Sequence, residues 1–200
     1  MAGDLTYKQL NVHRFLPATR AEGPGWRSAV WVRGCSRHCQ GCFASHTWSH
    51  EGWLLMTPED IVAQSMLDDR VEGITVMGGE PFEQPEALAS LLALAWKAHL
   101  STVVSTGYRI EELKMSADPV VHVALRHIDV LIDGPFILSE KDFSRPLAGS
   151  ANQRFLFLTN RYALTDFPPN RIEVRIAADG SVVLNGMGSM EQLTKVLTQL

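Results

Sequence analysis

The chain has 200 residues, of which 46% are hydrophobic and 20% charged, values ordinary for a globular protein with a real core. The length predicts one domain over residues 1–200. The sequence has no apolar stretch of membrane-spanning length, so we expect no membrane insertion, and it has no secretory signal near its start, so we expect a cytoplasmic protein. A formal net charge of -4 gives no overall attraction for nucleic acid, which we do not expect as a partner.

Predicted strands and helices alternate along the chain. Short β-prone runs predict strands, and apolar residues at helical spacing, such as Leu88, Leu91 and Leu92, predict helices. In chain order the prediction is a strand at 28–33, a helix starting at Thr57-Pro58, a strand at 73–77, a helix at 85–98, a strand at 101–104, a weaker helix at 110–114 and a strand at 128–132. This alternation is typical of an α/β protein with parallel strands joined by right-handed crossovers.

All three cysteines of the chain, Cys35, Cys39 and Cys42, lie in the loop at 34–43 that follows the first of these strands. Thiolates are the ligands of iron–sulfur clusters, and three of them on a four-iron cube leave one iron open for a ligand that is not protein. A second interpretation is a Cys3His zinc site, completed by His38, His46 or His50.

Three further loops follow the later strands, at 78–81, 105–108 and 133–136. Ligand sites of parallel sheets gather at the carboxyl ends of the strands, so these loops should meet the cysteine loop. A zinc site makes no demand on the later strands, whereas an open iron that holds a large cofactor does. The placement therefore favours the cluster over zinc.

These motifs resemble a known group of enzymes. The Cys-x3-Cys-x2-Cys loop followed by Gly-Gly-Glu-Pro at 78–81 resembles the radical S-adenosylmethionine superfamily. The segment Glu-Gly-Pro-Gly-Trp-Arg at 22–27 resembles a signature of the enzymes that activate glycyl radical enzymes. Further segments are similar to those of the activating proteins of anaerobic ribonucleotide reductases, namely 42–43, 47–48, Gly52, 105–108, 133–136 and 149–154. The resemblance covers 11–154, and residues 155–200 match weakly.

The resemblance implies a partial, open parallel β/α barrel. It also implies that Cys35, Cys39 and Cys42 hold a [4Fe-4S] cluster and that the fourth iron chelates S-adenosyl-L-methionine. Cleavage of that cofactor by one electron would give a 5'-deoxyadenosyl radical that takes hydrogen from a partner. The implied partner is a glycyl radical protein such as anaerobic ribonucleotide reductase, and flavodoxin or ferredoxin would supply the electron.

The resemblance also implies a set of cofactor-binding residues: Gly78, Gly79, Glu80, Pro81, Ser105, Thr106 and Asp133. The two glycines would let the backbone approach the cofactor, and Glu80 would face its ammonium group. Ser105 and Thr106 would contact the ribose. Trp48 and Trp53 would shield the cluster from solvent. Each of these residues could instead have an ordinary structural role, in a turn or in packing.

Two alternatives remain open from the sequence. Within the same chemistry, the substrate could be another glycyl radical enzyme, a peptide or a small molecule. In a different class, the chain could be a non-catalytic interaction module stabilised by zinc.

Overall fold

The computed structural model describes residues 9–52, 54–176 and 178–187, together with 194 and 198. In those residues the helices are α1 (Pro58–Ser65), α2 (Pro85–Lys97), α3 (Ile110–Lys114) and α4 (Pro119–Leu125). The strands are β1 (Leu10–Thr19), β2 (Trp26–Val32), β3 (Leu55–Met56), β4 (Val71–Gly78), β5 (Ser101–Ser105), β6 (Val130–Asp133), β7 (Arg154–Phe157), β8 (Ile172–Ile176) and β9 (Val182–Gly186).

Seven of these strands form one mixed sheet, in the order β3-β1-β2-β4-β5-β6-β7. Its centre, β2-β4-β5-β6, is parallel, whereas β1, β3 and β7 pair antiparallel at the flanks. The α/β prediction and the four parallel strands are therefore confirmed. The sheet is open, with β3 and β7 at its edges, so the structure does not show a barrel.

The helices start and pack as their sequences predict. The Thr57 hydroxyl accepts a hydrogen bond from Asp60 N–H, and Pro58 occupies the first turn of α1. Helix α2 buries Leu88, Leu91 and Leu92 in the main core, which also contains alternate residues of the parallel strands. Because strand residues alternate between faces, this leaves the next residues of β4 and β5 on the opposite face of the sheet.

That opposite face is partly covered by the C-terminal part of the chain. Phe167 packs with Val103, Val130 and Ile132 in a second, smaller cluster. The hairpin β8–β9 pairs only with itself and is attached to the end of β1. There Asn185 Nδ2 donates to Thr19 Oγ1 over 2.9 Å, and the same hydroxyl donates to Glu173.

The turn between β1 and β2 contains the Glu-Gly-Pro-Gly-Trp-Arg segment, in which Gly23 and Gly25 have positive φ. Arg27 at its end is completely buried and donates to Thr75 Oγ1, Ser101 Oγ and several backbone carbonyls. Arg27 therefore binds the turn to neighbouring strands. No helix in the described ranges has both the length and the apolarity that crossing a bilayer requires.

Candidate functional site

The cysteine loop folds back on itself after β2. Gly34 has a φ of +90° and donates its N–H to Thr47 O over 2.9 Å, and Cys35 N–H donates to Trp48 O over 3.1 Å. Cys42 N–H donates to Cys39 O over 3.1 Å. All three cysteines are partly buried free thiols, and they line the same cavity.

The chemistry of this donor set fits an iron–sulfur cluster. Burial raises the pKa of the Cys35 and Cys42 thiols, and a bound iron–sulfur cluster would supply the positive charge that stabilises their thiolates. Within the described part of the chain, no three His, Cys, Asp or Glu side chains converge as ligands of a single metal ion. A cube does not require that convergence, because each thiolate binds a different iron.

The cavity has a volume of about 450 Å³, which is in the range of small-molecule sites. Its walls come from the cysteine loop, from the loops after β4, β5 and β6, and from the hairpin β8–β9. The sequence-predicted residues that line it are Cys35, Cys39, Cys42, Gly78, Gly79, Glu80, Ser105 and Thr106. The structure thus brings together eight of the ten candidates.

Gly78 and Gly79 place the loop after β4 directly against the cysteine loop. Gly79 N–H donates to Val32 O over 2.8 Å, and Glu80 N–H donates to Gly34 O over 2.7 Å. A Cβ atom at Gly79 would lie 2.3 Å from the Gly34 carbonyl oxygen, which is too close for any side chain. Glycine is therefore needed at position 79 for the contact between the two loops.

Glu80 is buried in the cavity wall, with 1% of its surface exposed. Its Oε1 accepts from Thr106 Oγ1 at 2.7 Å and from Phe82 N–H at 3.0 Å, and its Oε2 accepts from Gly107 N–H at 2.8 Å. Burial raises the pKa of Glu80 to about 7, because desolvation outweighs these three hydrogen bonds. A cationic group in the cavity would hold this carboxyl in its ionised form.

Asp133 and Pro81 do not belong to the cavity lining. The Asp133 carboxylate forms a bidentate pair with Arg154, at 2.8 and 2.6 Å, and accepts the N–H of Ile110 at the start of α3. Pro81 is buried at the start of a short 3₁₀ turn. Their predicted role in cofactor binding stays a prediction, and the structure gives both residues a supporting role in the loops.

The sequence did not predict that the Glu83 carboxylate binds the cysteine loop. Glu83 Oε1 accepts from both the N–H and the hydroxyl of Ser36, at 2.7 and 2.6 Å. Its other oxygen lies 2.9 Å from His50 Nε2. In the sequence, Glu83 is recognisable only as an acidic residue three positions after Glu80. That pattern does not distinguish it from a solvent-exposed side chain.

Two aromatic side chains after the cysteine loop, Trp48 and His46, contact histidine rings. Trp48 lines the cavity and stacks on the His38 ring with a centroid distance of 4.7 Å. The predicted shielding role of Trp53 concerns a position outside the described residues. His46 lies edge-on to His13, with a centroid distance of 4.9 Å.

This loop and cavity define an iron–sulfur protein, and the comparison with family models agrees. The model of the 4Fe-4S single cluster domain matches residues 21–156. The anaerobic ribonucleoside-triphosphate reductase-activating protein of Salmonella typhi is 33% identical over 153 residues, which cover 72% of this chain and 96% of that protein. The proteins of the same name from Escherichia coli K12 and Enterobacteria phage T4 are 32% and 29% identical, over 96% and 92% of their lengths.

The chain therefore belongs to the family of anaerobic ribonucleoside-triphosphate reductase-activating proteins. This confirms the expectation of a radical S-adenosylmethionine enzyme that uses a [4Fe-4S] cluster and S-adenosyl-L-methionine. The zinc alternative finds no support in these comparisons. The crystal structure of QueE from Escherichia coli is also similar, with a TM-score of 0.44 and 19% identity over 50% of this chain and 53% of that one. That similarity is too low to carry an argument.

Proposed function

We propose that this chain activates an anaerobic ribonucleoside-triphosphate reductase by removing a hydrogen atom from a glycine α-carbon of that protein. The observation that carries the proposal is the meeting of three thiols with the Gly-Gly-Glu loop in one cavity, in a chain whose relatives are named as activators of this reductase. The carbon–hydrogen bond of the glycine breaks homolytically. The hydrogen atom would be accepted by the 5'-deoxyadenosyl group that the bound cofactor supplies, so that 5'-deoxyadenosine and a glycyl radical on the reductase would be the products.

When bound, the cluster and S-adenosyl-L-methionine supply a one-electron cleavage of the sulfonium carbon–sulfur bond. Cys35, Cys39 and Cys42, which line the cavity, would each hold one iron. Glu80 would face the ammonium group of the cofactor, and Ser105 with Thr106 would face its ribose. The mainly apolar lining of the cavity would limit the contact of water with a radical that reacts with almost any nearby bond.

We also propose an electron donor and a cellular location for this protein. An external donor such as flavodoxin or ferredoxin would supply the electron, as the resemblance implies. The three cysteines leave no thiolates for a second cysteine-ligated cluster in the given sequence. The protein would act in the cytoplasm, as one domain and without nucleic acid. Each of these points rests on the sequence.

The experiment combines anaerobically reconstituted protein with dithionite, S-adenosyl-L-methionine and a candidate anaerobic ribonucleoside-triphosphate reductase. We expect a glycyl radical signal in electron paramagnetic resonance and one 5'-deoxyadenosine for each radical formed. Cofactor cleavage without any glycyl radical would refute the activating role and favour a peptide or small-molecule substrate.

The cysteines provide a direct test of the cluster. We expect Cys35→Ala, Cys39→Ala and Cys42→Ala each to abolish cofactor cleavage, because a cube with one ligand removed loses iron. Gln40→Ala is the matched control, since Gln40 is an exposed member of the same loop. Iron and sulfide analysis reports assembly, and turnover that persists in any cysteine variant contradicts the ligand assignment.

A further inference from the structure

The hairpin β8–β9 has one apolar face and one mainly polar face. Because strand side chains alternate between faces, the register places four apolar side chains together, in two cross-strand pairs: Ile176 with Val182, and Val174 with Leu184. We call this set the apolar face of the hairpin. The opposite face is formed by Glu173, Arg175, Val183 and Asn185.

The polar side chains of the opposite face attach the hairpin to the end of β1. Asn185 Nδ2 donates to Thr19 Oγ1 over 2.9 Å, and Glu173 accepts from the same hydroxyl. Arg175 donates to the carbonyl oxygen of Ala18. These contacts use the side of the hairpin that is turned towards β1, so they leave the apolar face directed away from that strand.

The apolar face is open to solvent. Ile176 is 59% exposed, Val182 is 48% exposed and Leu184 is 38% exposed. Single exposed apolar residues are common on protein surfaces, whereas paired ones on one face of a hairpin form a continuous patch. A two-stranded hairpin is marginally stable by itself, so such a patch is typical of a surface that another polypeptide covers.

This patch continues into the wall of the cavity. Leu184 lines the cavity, and so do Ile172 and Gly186, which form the next cross-strand pair on the same face. The apolar surface therefore runs without a break from the cavity wall to Ile176 and Val182, near the turn of the hairpin.

Cluster binding does not account for the patch. The three cysteines and the Gly-Gly-Glu loop lie within residues 21–156, which match the 4Fe-4S single cluster domain, whereas the hairpin spans 172–186. The patch thus belongs to a segment that lies beyond the matched domain and borders the same cavity.

We propose that the apolar face of the hairpin is a docking surface for the reductase. This inference rests on the proposed function, in which the substrate is a protein. Hydrogen transfer requires contact between the reacting groups, so the glycine has to enter the cavity and the reductase surface around it has to lie against the cavity rim. The hairpin forms part of that rim. Apolar side chains of the reductase cover Ile176 and Val182 there and remove their surface from water.

The first test compares Val182→Glu with Val183→Glu in the activation of a candidate reductase, with rates normalised to the iron content. The two valines are adjacent and similarly exposed, at 48% and 42%, but they lie on opposite faces of the hairpin. A carboxylate at position 182 would lose water when the reductase docks, so Val182→Glu should raise the KM for the reductase about tenfold, with a smaller effect on kcat.

Val183→Glu is the matched control and should keep the wild-type KM within about twofold, because its side chain lies on the other face. Equal KM values for the two variants, in an assay where the wild type forms the glycyl radical, would refute the docking surface and leave the proposed function intact.

The second test places the photo-cross-linking residue p-benzoylphenylalanine at position 182 or at position 183 of the reconstituted full chain. We expect illumination to cross-link position 182, and not position 183, to the reductase. Cross-linking from position 182 in a mixture that forms no glycyl radical supports the docking surface and refutes the proposed activation. The inference is overturned if position 182 forms no cross-link, or reacts only with this chain or with a second copy of it.

Discussion

Glu80 is buried in the cavity wall and accepts three hydrogen bonds, and these two features have opposite effects on its pKa. Its three hydrogen bonds, from Thr106 Oγ1 and from the N–H groups of Phe82 and Gly107, favour the ionised form. Its burial favours the neutral form and prevails in the free protein, where the pKa rises to about 7. If Glu80 faces the ammonium group of the cofactor, as we propose, that charge would favour the ionised carboxylate and strengthen the contact between the β4 and β5 loops.

Glu80→Ala should weaken cofactor binding more than it weakens cluster assembly. The change leaves three donors without their acceptor, and each buried donor left unsatisfied costs about 1–3 kcal/mol. We expect a free energy of unfolding lower by roughly 3 kcal/mol and a cofactor Kd at least about tenfold higher. Denaturant titration and equilibrium binding measure the two effects. Glu80→Gln keeps an acceptor for Thr106 and should destabilise less, and equal losses in both variants would contradict this account.

At the scale of the element, the site depends on two loops packed backbone to backbone. The β4 loop reaches the cysteine loop through Gly79 N–H to Val32 O and Glu80 N–H to Gly34 O. Glu83 binds Ser36 from the turn that precedes α2. The cysteine loop is therefore held by contacts that come from a part of the chain more than forty residues later.

Gly79→Ala should displace the cysteine loop, because the added Cβ meets the Gly34 carbonyl oxygen at 2.3 Å and backbone cannot move aside without breaking the Glu80 N–H bond. Gly107→Ala is the matched control in the same cavity. There the nearest atom, at 2.6 Å, is Cδ of the flexible Arg37 side chain. We expect Gly79→Ala to cost about 2 kcal/mol or more of stability and to lower bound iron, as measured by denaturation and metal analysis. A milder effect than that of Gly107→Ala would show that the loop contact is dispensable.

At the scale of the whole molecule, the fold buries carboxyls at both sides of the cavity. Glu22 and Glu80 have pKa values raised to about 8 and about 7, in each case mainly by desolvation. A carboxyl with a raised pKa in the folded state contributes stability at low pH. That contribution is lost as the pH rises, because the unfolded chain releases its proton near pH 4.5 while the folded chain still holds it.

The free energy of unfolding should therefore fall between about pH 5 and pH 8, and Glu22→Gln should remove part of this slope. Relative to the variant, the wild type should lose on the order of a few kcal/mol across that range. Denaturant titration of both proteins at a series of pH values measures the difference. Glu51→Gln, at an exposed position, is the control and should keep the wild-type slope. Parallel curves for the wild type and Glu22→Gln would contradict the assigned pKa.

Local patterns were enough for the central elements. The Thr57-Pro58 start of α1, the apolar face of α2 and the four parallel strands follow from capping and periodicity, and the structure confirms them. Strands β1 and β7 were not predicted, because antiparallel strands that flank the parallel part of a sheet are not marked by the β/α alternation. Short helix α4 was missed for a similar reason, since seven residues show little periodicity.

For the site, the sequence by itself determined which chemical groups are available, namely three closely spaced thiols and a glycine-glycine-acid turn, because ligand type and local backbone freedom are properties of residues and their spacing. Only the tertiary structure decided that Glu80 joins two loops, that Asp133 binds Arg154 instead of lining the cavity, and that the hairpin β8–β9 closes one side. The partners in these contacts lie more than twenty residues apart along the chain. Contacts between residues so far apart in the sequence depend on how the sheet twists and packs, and local sequence patterns do not contain that information.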